Sequence, residues 1–262
     1  MEHHHISQSS DKQPGNQPLS GKRVLITGGG SGIGADMALA FAQAGAEVTI
    51  TGRREVPLAA MTDQHPGIHG EVVDVTDEAA MVALFTRLGE LDIVIANAGA
   101  AESSPLSRTS LEQWQRMLDV NLTGVFLTLR EGLAHLADHG RLIAVASTAG
   151  LKGYAYVAPY CAAKHGVVGL VRALAQETAT RGITVNALCP GFTETPLLEA
   201  SVETIVSKTG QEREQARAHF RSVNPSGRLV QPAEVTATAL WLCGEHSGAI
   251  NGQAISISGG ET

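Results

Sequence analysis

Apolar positions along this chain switch repeatedly between two patterns. Short β-branched and aliphatic runs alternate with longer stretches in which apolar residues recur every three or four positions. The first short run, residues 23–26, reads as a buried strand. A helical stretch follows with Met37, Ala38, Phe41 and Ala42 on one face, ending near Gly45. Residues 47–51 form a second strand and complete a βαβ unit. The same reading gives a weak helix over 55–62, a strand over 70–73, a helix over 76–88 and a strand over 91–96. It continues with one long helix over 110–136, a strand over 142–146, a helix reaching about residue 181 and a strand over 183–187. A helix over 232–243 and a strand over 254–257 close the chain. Strands alternating with helices predict an α/β domain: a doubly wound, seven-stranded parallel sheet with helices on both faces.

Two stretches fall outside that rhythm. Residues 1–20 are polar, carry Pro14, Gly15 and Pro18, and include His3, His4 and His5. They are expected to be a mobile arm or tag outside the fold, and nothing nearby completes a metal ligand set for the histidines. Residues 21–262 then make one domain. Residues 194–225 are polar and helical and follow a strand's carboxyl end, where a substrate lid belongs; a plain surface excursion is the alternative.

Composition narrows the function. A net charge of −7 gives no general reason to bind nucleic acid or an anionic membrane. No apolar run is long enough for a membrane span, and the N-terminus lacks the apolar core of a secretory signal. The three cysteines, Cys161, Cys189 and Cys243, form no C-x-x-C pair, so neither a disulfide framework nor a zinc site is expected and a reducing cytoplasm fits.

Chemistry concentrates at predicted strand ends. Thr27 through Gly34 reads T-G-G-G-S-G-I-G between a strand and a helix. Glycines there let a phosphate approach the main chain, and the helix N-terminus offers free N–H groups to it. The expected dinucleotide contacts are Gly28, Gly32 and Gly34. At the end of the second strand, Gly52 stands where an NAD-binding fold often carries an acid, and Arg53 and Arg54 follow. An arginine there can pair with a 2′-phosphate, which favours NADP over NAD; two solvated arginines are the alternative. Asp74 and Asn97 lie at further strand ends and are expected to reach the cofactor, although Asp74 also suits a helix cap. Asn121, in the middle of a predicted helix, should have a specific partner for its amide.

The central stretch runs from Ser147 to Lys164. Of the three tyrosines only Tyr160 has a lysine four residues on, Lys164, and on a helix the two share a face. A nearby ammonium would lower the phenol pKa from about 10, as proton transfer near neutral pH requires. A half-buried Tyr beside a solvated Lys is the bland alternative.

Taken together, T-G-G-G-S-G-I-G, A-N-A-G, N-L-T-G, a Ser ahead of Y-C-A-A-K, and C-P-G-F-T-E-T resemble the short-chain dehydrogenase/reductase family over about residues 20–260. The resemblance implies a single-domain Rossmann fold. It implies Tyr160 as general acid or base, Ser147 steadying the substrate oxygen, Lys164 binding the nicotinamide ribose, and Asn121 holding a relay water. It extends the cofactor contacts to Ser31, Ile33, Asp74, Val75, Asn97, Ala98, Gly99, Tyr160, Lys164, Pro190, Gly191 and Thr193. The family's usual N-N-A-G stands here as Ala96-Asn97-Ala98-Gly99. Within the family the chain looks closest to β-ketoacyl or polyketide ketoreductases and 3-hydroxyacyl dehydrogenases. The expected substrate is a small carbonyl or alcohol, its pocket lined by the 197–224 segment with Ser103, Leu151, Gly153 and Tyr154. The expected assembly is a homotetramer packed through the two long helices. A non-catalytic cofactor sensor and a sugar-nucleotide epimerase are the competing classes; the intact Tyr–Lys pair counts against the first and the glycine spacing against the second.

Overall fold

The computed structural model describes residues 17–262. Seven strands form one sheet in the order β3-β2-β1-β4-β5-β6-β7: β1 (Arg23–Thr27), β2 (Glu47–Gly52), β3 (Ile68–Val72), β4 (Leu91–Ala96), β5 (Leu136–Val145), β6 (Thr184–Pro190) and β7 (Ala254–Ile257). Every pairing is parallel. The chain moves outward one way from β1 to β3, then returns to start β4 on the other side of β1. That reversal opens a crevice beyond the carboxyl ends of β1 and β4, where an open α/β sheet takes its ligands.

Strand alternation divides the core into two layers. Val24, Ile26, Ile93, Ile95, Ile143 and Val145 point to one face, against Met37 and Phe41 of α1 (Gly32–Gln43), Leu58 and Met61 of α2 (Glu55–Thr62), and Val235 and Leu242 of α9 (Pro232–Leu242). Their neighbours Leu25, Val94, Ala96, Leu142 and Ala144 point the other way. They meet Met81 and Phe85 of α3 (Glu78–Leu88), Val125 and Leu129 of α5 (Gly124–His135), and Val167 and Val171 of α6 (Ala158–Thr178). The run of apolar residues in each strand is therefore two interleaved stripes, each with its own helical cover.

Several expectations are corrected. The helix expected over 110–136 is broken: α4 (Leu111–Leu118) and α5 are joined by a π turn over Asp119–Thr123, in which the Gly124 N–H reaches the Asp119 carbonyl. Asn121, a residue that competes for backbone hydrogen bonds, sits inside that turn. β5 starts at Leu136, earlier than residue 142, because a bulge between the Leu91 and Ile93 pairings and a left-handed His139 (φ 63°) carry an irregular lead-in to the regular strand. β3 begins at Ile68, and β6 runs through Pro190, whose carboxyl-end position pairs with Ile257. Residues 17–20 belong to the fold and not to the arm: Leu19 is buried and donates its N–H to Ala44 at 2.9 Å. The reading of His3 to His5 as a tag, with the rest of residues 1–16, lies outside the described residues.

The segment after β6 forms two helices, α7 (Pro196–Thr209) and α8 (Arg213–Val223). It is less polar in effect than its composition: Leu198, Val202, Ala216, Phe220 and Leu229 bury a small core of their own, with Phe192 packed against it. Lys208 Nζ donates to the Ser103 carbonyl at 3.2 Å, bridging this pair of helices to the loop after β4. No helix among the described residues is long and apolar enough to cross a membrane.

Candidate active site

The crevice is built first from backbone. Gly28 and Gly32 take left-handed φ of 69° and 57°, a region open to glycine at little cost. Gly34 has no room for a side chain: a Cβ there would stand 2.4 Å from Asn97 Nδ2 and 2.5 Å from the Gly28 carbonyl oxygen. Asn97 explains the tightness. Its Nδ2 donates to the carbonyls of Thr27 (2.9 Å) and Gly28 (3.2 Å), while Thr27 Oγ1 accepts from the N–H groups of Asn97 and Ala98. Asn97 thus stitches the end of β4 to the glycine turn. At the start of α1, Ser31 is extended and makes no side-chain cap, so the first N–H groups of the helix stay open to an anion. Ile33 lies in that first turn, half-buried.

The other expected cofactor residues divide. Asp74 accepts from the N–H (3.0 Å) and Oγ1 (2.8 Å) of Thr76, forming a local turn, and the cap of α3 is Asp77 instead. Val75 is buried under the π turn, against Gly124. Arg53 and Arg54 are exposed after β2, and Arg53 Nη1 is 4.0 Å from Asp74 Oδ2. Thr193 is buried, with its Oγ1 donating to the Gly191 carbonyl at 2.9 Å just after Pro190.

Ser147, Tyr160, Lys164 and Asn121 converge beyond β5. Ser147 lies two residues past the end of that strand, and its Oγ accepts from Ala149 N–H at 3.1 Å. Tyr160 and Lys164 share one face of α6; the ammonium lies 5.6 Å from the phenol ring centroid and donates to the Val145 carbonyl at 2.8 Å. Asn121 is fully buried. Its amide donates to the carbonyls of Ala100 and Met117 and accepts from the Ala100 N–H. The partner predicted for this amide is therefore the backbone after β4. Gly99 lets the groups meet: a Cβ there would stand 3.0 Å from Asn121 Oδ1 and 3.8 Å from Lys164 Nζ.

Burial governs the protonation of the pair. It pushes the Tyr160 phenol up to about 12, with the Ser147 hydroxyl pulling the other way. It lowers Lys164 to about 8. The expectation that Lys164 depresses the Tyr160 pKa is overturned here: desolvation dominates, and the ammonium is turned to the Val145 carbonyl. Tyr160 holds its proton firmly.

On the other side of Ser147, Tyr154 shares a hydrogen bond with Thr148 Oγ1 (2.6 Å), donates to Glu261, and sets its ring 5.6 Å from that of Phe192. Thr148, Phe192 and Glu261 escaped the sequence reading. Phe192 and Thr148 adjoin motif residues, but Glu261 follows Gly259-Gly260 near the chain's end and carries no pattern of its own.

Residues 22–205 match the family described as short chain dehydrogenase. The chain belongs to this family. Like its other members it is an oxidoreductase of CH–OH and ketone groups. It is 38% identical to a granaticin polyketide synthase putative ketoacyl reductase of Streptomyces violaceoruber, covering 90% of this chain and 92% of that one. It is 36% identical to a D-beta-hydroxybutyrate dehydrogenase of Cupriavidus necator, over 92% of this chain and 98% of the relative. Among solved structures, an actinorhodin polyketide ketoreductase variant with NADPH superposes with a TM-score of 0.85 at 33% identity, covering 92% of this chain and 97% of that one. Levodione reductase superposes at 0.86 and 32%, over 93% and 98%. These agree with the single sheet and its strand order.

Proposed function

We propose that this short-chain dehydrogenase is a ketoreductase that interconverts a carbonyl and a secondary alcohol, with 3-oxoacyl-type compounds or small ketones as substrates. The observation that carries the reading is the meeting of Ser147, Tyr160 and Lys164 beside an open, glycine-lined helix N-terminus. The cradle at Gly28, Gly32 and Gly34 fits a dinucleotide phosphate, since the backbone is bare and its N–H groups are free. Ser31, Ile33, Asn97, Ala98, Gly99, Pro190, Gly191 and Thr193 would line the remainder. A bound nicotinamide dinucleotide supplies the hydride.

The chain's own residues handle the proton. Tyr160, protonated at neutral pH, is placed as the general acid of a reduction: its O–H donates to the substrate oxygen as negative charge develops there. Ser147 Oγ donates a second hydrogen bond to that oxygen. Lys164, anchored on the Val145 carbonyl, would bind the nicotinamide ribose. Asn121 fixes the loop after β4 against α4, and is read as the holder of a relay water beside Lys164. Arg53 and Arg54 are read as partners of a 2′-phosphate, so NADP is preferred to NAD; the NADPH-carrying structural relative points the same way. Exposed Leu111 and Phe126 on α4 and α5 support a homotetramer packed through the α4–α5 stretch and α6.

Replacing Tyr160 by Phe tests the mechanism. Turnover should fall by about 10²-fold or more while calorimetric binding of NADPH stays unchanged. Retained turnover would refute the acid role. Tighter binding of NADH than of NADPH would refute the arginine reading.

A further inference from the structure

The residues after β7 turn back towards the catalytic loop. Glu261 keeps its backbone near the surface, yet its side chain is only 2% exposed. Its Oε1 receives Lys152 Nζ at 2.9 Å and the Tyr154 hydroxyl, and Tyr154 in turn meets Thr148, next to Ser147. Its Oε2 is buried with no hydrogen-bond partner. That oxygen faces the carboxyl end of β6: a Cβ on Gly191 would stand 3.2 Å from it. The unpaired oxygen therefore lies between the Ser147 loop and the Pro190-Gly191 turn, at the ligand end of the sheet.

A buried carboxylate oxygen without a partner is unfavourable, because its lost hydration is not replaced. Anchoring the tail does not require it. Ser256 Oγ already bonds Ser258 Oγ at 2.8 Å and Thr262 Oγ1 at 2.5 Å, and the Glu261 N–H reaches the Ser258 carbonyl at 3.4 Å. The charge balance is also informative. Lys152 is a cation near the substrate end of the catalytic loop, and Glu261 neutralises it, which leaves an acceptor as the unsatisfied group.

Building on the reductase reading, we propose that Glu261 determines substrate specificity. Its unpaired carboxylate oxygen accepts a hydrogen bond from a hydroxyl or amino group carried by the carbonyl substrate away from the reacting carbon. By pairing Lys152 it also turns away substrates with a free carboxylate. Sites that hydrogen-bond a substrate donor discriminate strongly against analogues lacking it, because the site's polar atom is then left bare.

The test uses the full chain and a panel of cyclohexanone, its 2-, 3- and 4-hydroxy derivatives, and acetoacetate. Each is read as kcat/KM with NADPH and as calorimetric affinity for the NADP-loaded protein. Wild type should favour at least one hydroxycyclohexanone over cyclohexanone by about tenfold or more and bind acetoacetate weakest. Glu261→Leu should bring the hydroxyl preference to within about twofold. Glu261→Gln should raise acetoacetate affinity relative to cyclohexanone about tenfold by unpairing Lys152. Lys152→Met, which keeps the acceptor, should retain the hydroxyl preference. A merely structural tail would change all five compounds in proportion, and constant ratios across the variants, or a wild type without the preference, overturn the proposal. A wild type that turns over none of the panel counts against the reductase reading, while the affinity ratios still decide the role of Glu261.

Discussion

The cofactor half and the substrate half of this crevice are made of different material. Around β1, α1 and β4 the surface is backbone: left-handed Gly28 and Gly32, a Gly34 with no space for a methyl group, and an Asn97 amide spent on the main chain. Around β6, α7, α8 and the C-terminal turn the surface is side chain: Tyr154, Phe192, Phe220 and Glu261. The first half, as the proposed dinucleotide cradle, can be shared by enzymes that use the same dinucleotide, because phosphate and ribose are common to all of them. The second can vary residue by residue at small cost to the fold, and that is where one family member departs from another.

Breaking the backbone half should have the largest effect. Gly34→Ala drives a methyl group into Asn97 and the Gly28 carbonyl, so NADPH affinity should drop about 100-fold or more, with overpacking costing about 1–3 kcal/mol in denaturant unfolding. Unchanged affinity would show the cradle to be softer than its packing implies. In the side-chain half, Phe220→Ala removes a buried ring packed 4.8 Å from Phe192. Loss of a buried phenylalanine is worth about 3–5 kcal/mol, here falling mainly on the α7–α8 unit. KM for ketones should rise several-fold while NADPH affinity holds; an equal loss of both would show that the halves are coupled.

A third effect sits where the halves meet. Burial lowers Lys164 to about 8, so the folded protein gives up that proton before the unfolded chain does. Between about pH 8 and 10 the unfolded state binds more protons, and stability should therefore rise with pH from this group. Above about pH 10 the sign reverses through Tyr160, which stays protonated up to about 12 when folded and loses its proton earlier when unfolded. Chemical denaturation between about pH 8 and 9, below the range in which the raised thiols of Cys189 and Cys243 oppose the trend, should show the rise in wild type and its loss in Lys164→Met. The smallest effect belongs to the surface of the α7–α8 unit. Glu199 accepts from both Arg213 and Arg217, but these pairs are partly exposed, and Glu199→Gln should change stability by no more than about 1 kcal/mol in urea melts at moderate salt.

Much of the backbone half was legible in the chain, because its requirements are local. A glycine turn between a strand and a helix occupies consecutive residues, and Tyr160 and Lys164 meet through one helical turn. The side-chain half was less legible. Its residues come from the loop after β5, the turn after β6 and the end of the chain, so no spacing rule links Thr148 and Tyr154 to Phe192 or Glu261. The low apolar content of residues 194–225 likewise concealed a cluster whose members become neighbours once α7 and α8 pair.

By itself, the sequence determined the alternation of strand and helix, the parallel sheet, the glycine turn between β1 and α1 and the pairing of Tyr160 with Lys164 on one helix face. Each of these follows from periodicity or from residues a few positions apart. Tertiary structure decided the π turn that carries Asn121, the burial that raises Tyr160 and lowers Lys164, and the delivery of Glu261 to the catalytic loop. Desolvation and long-range contact depend on what the rest of the chain places around a group, and no local pattern encodes them.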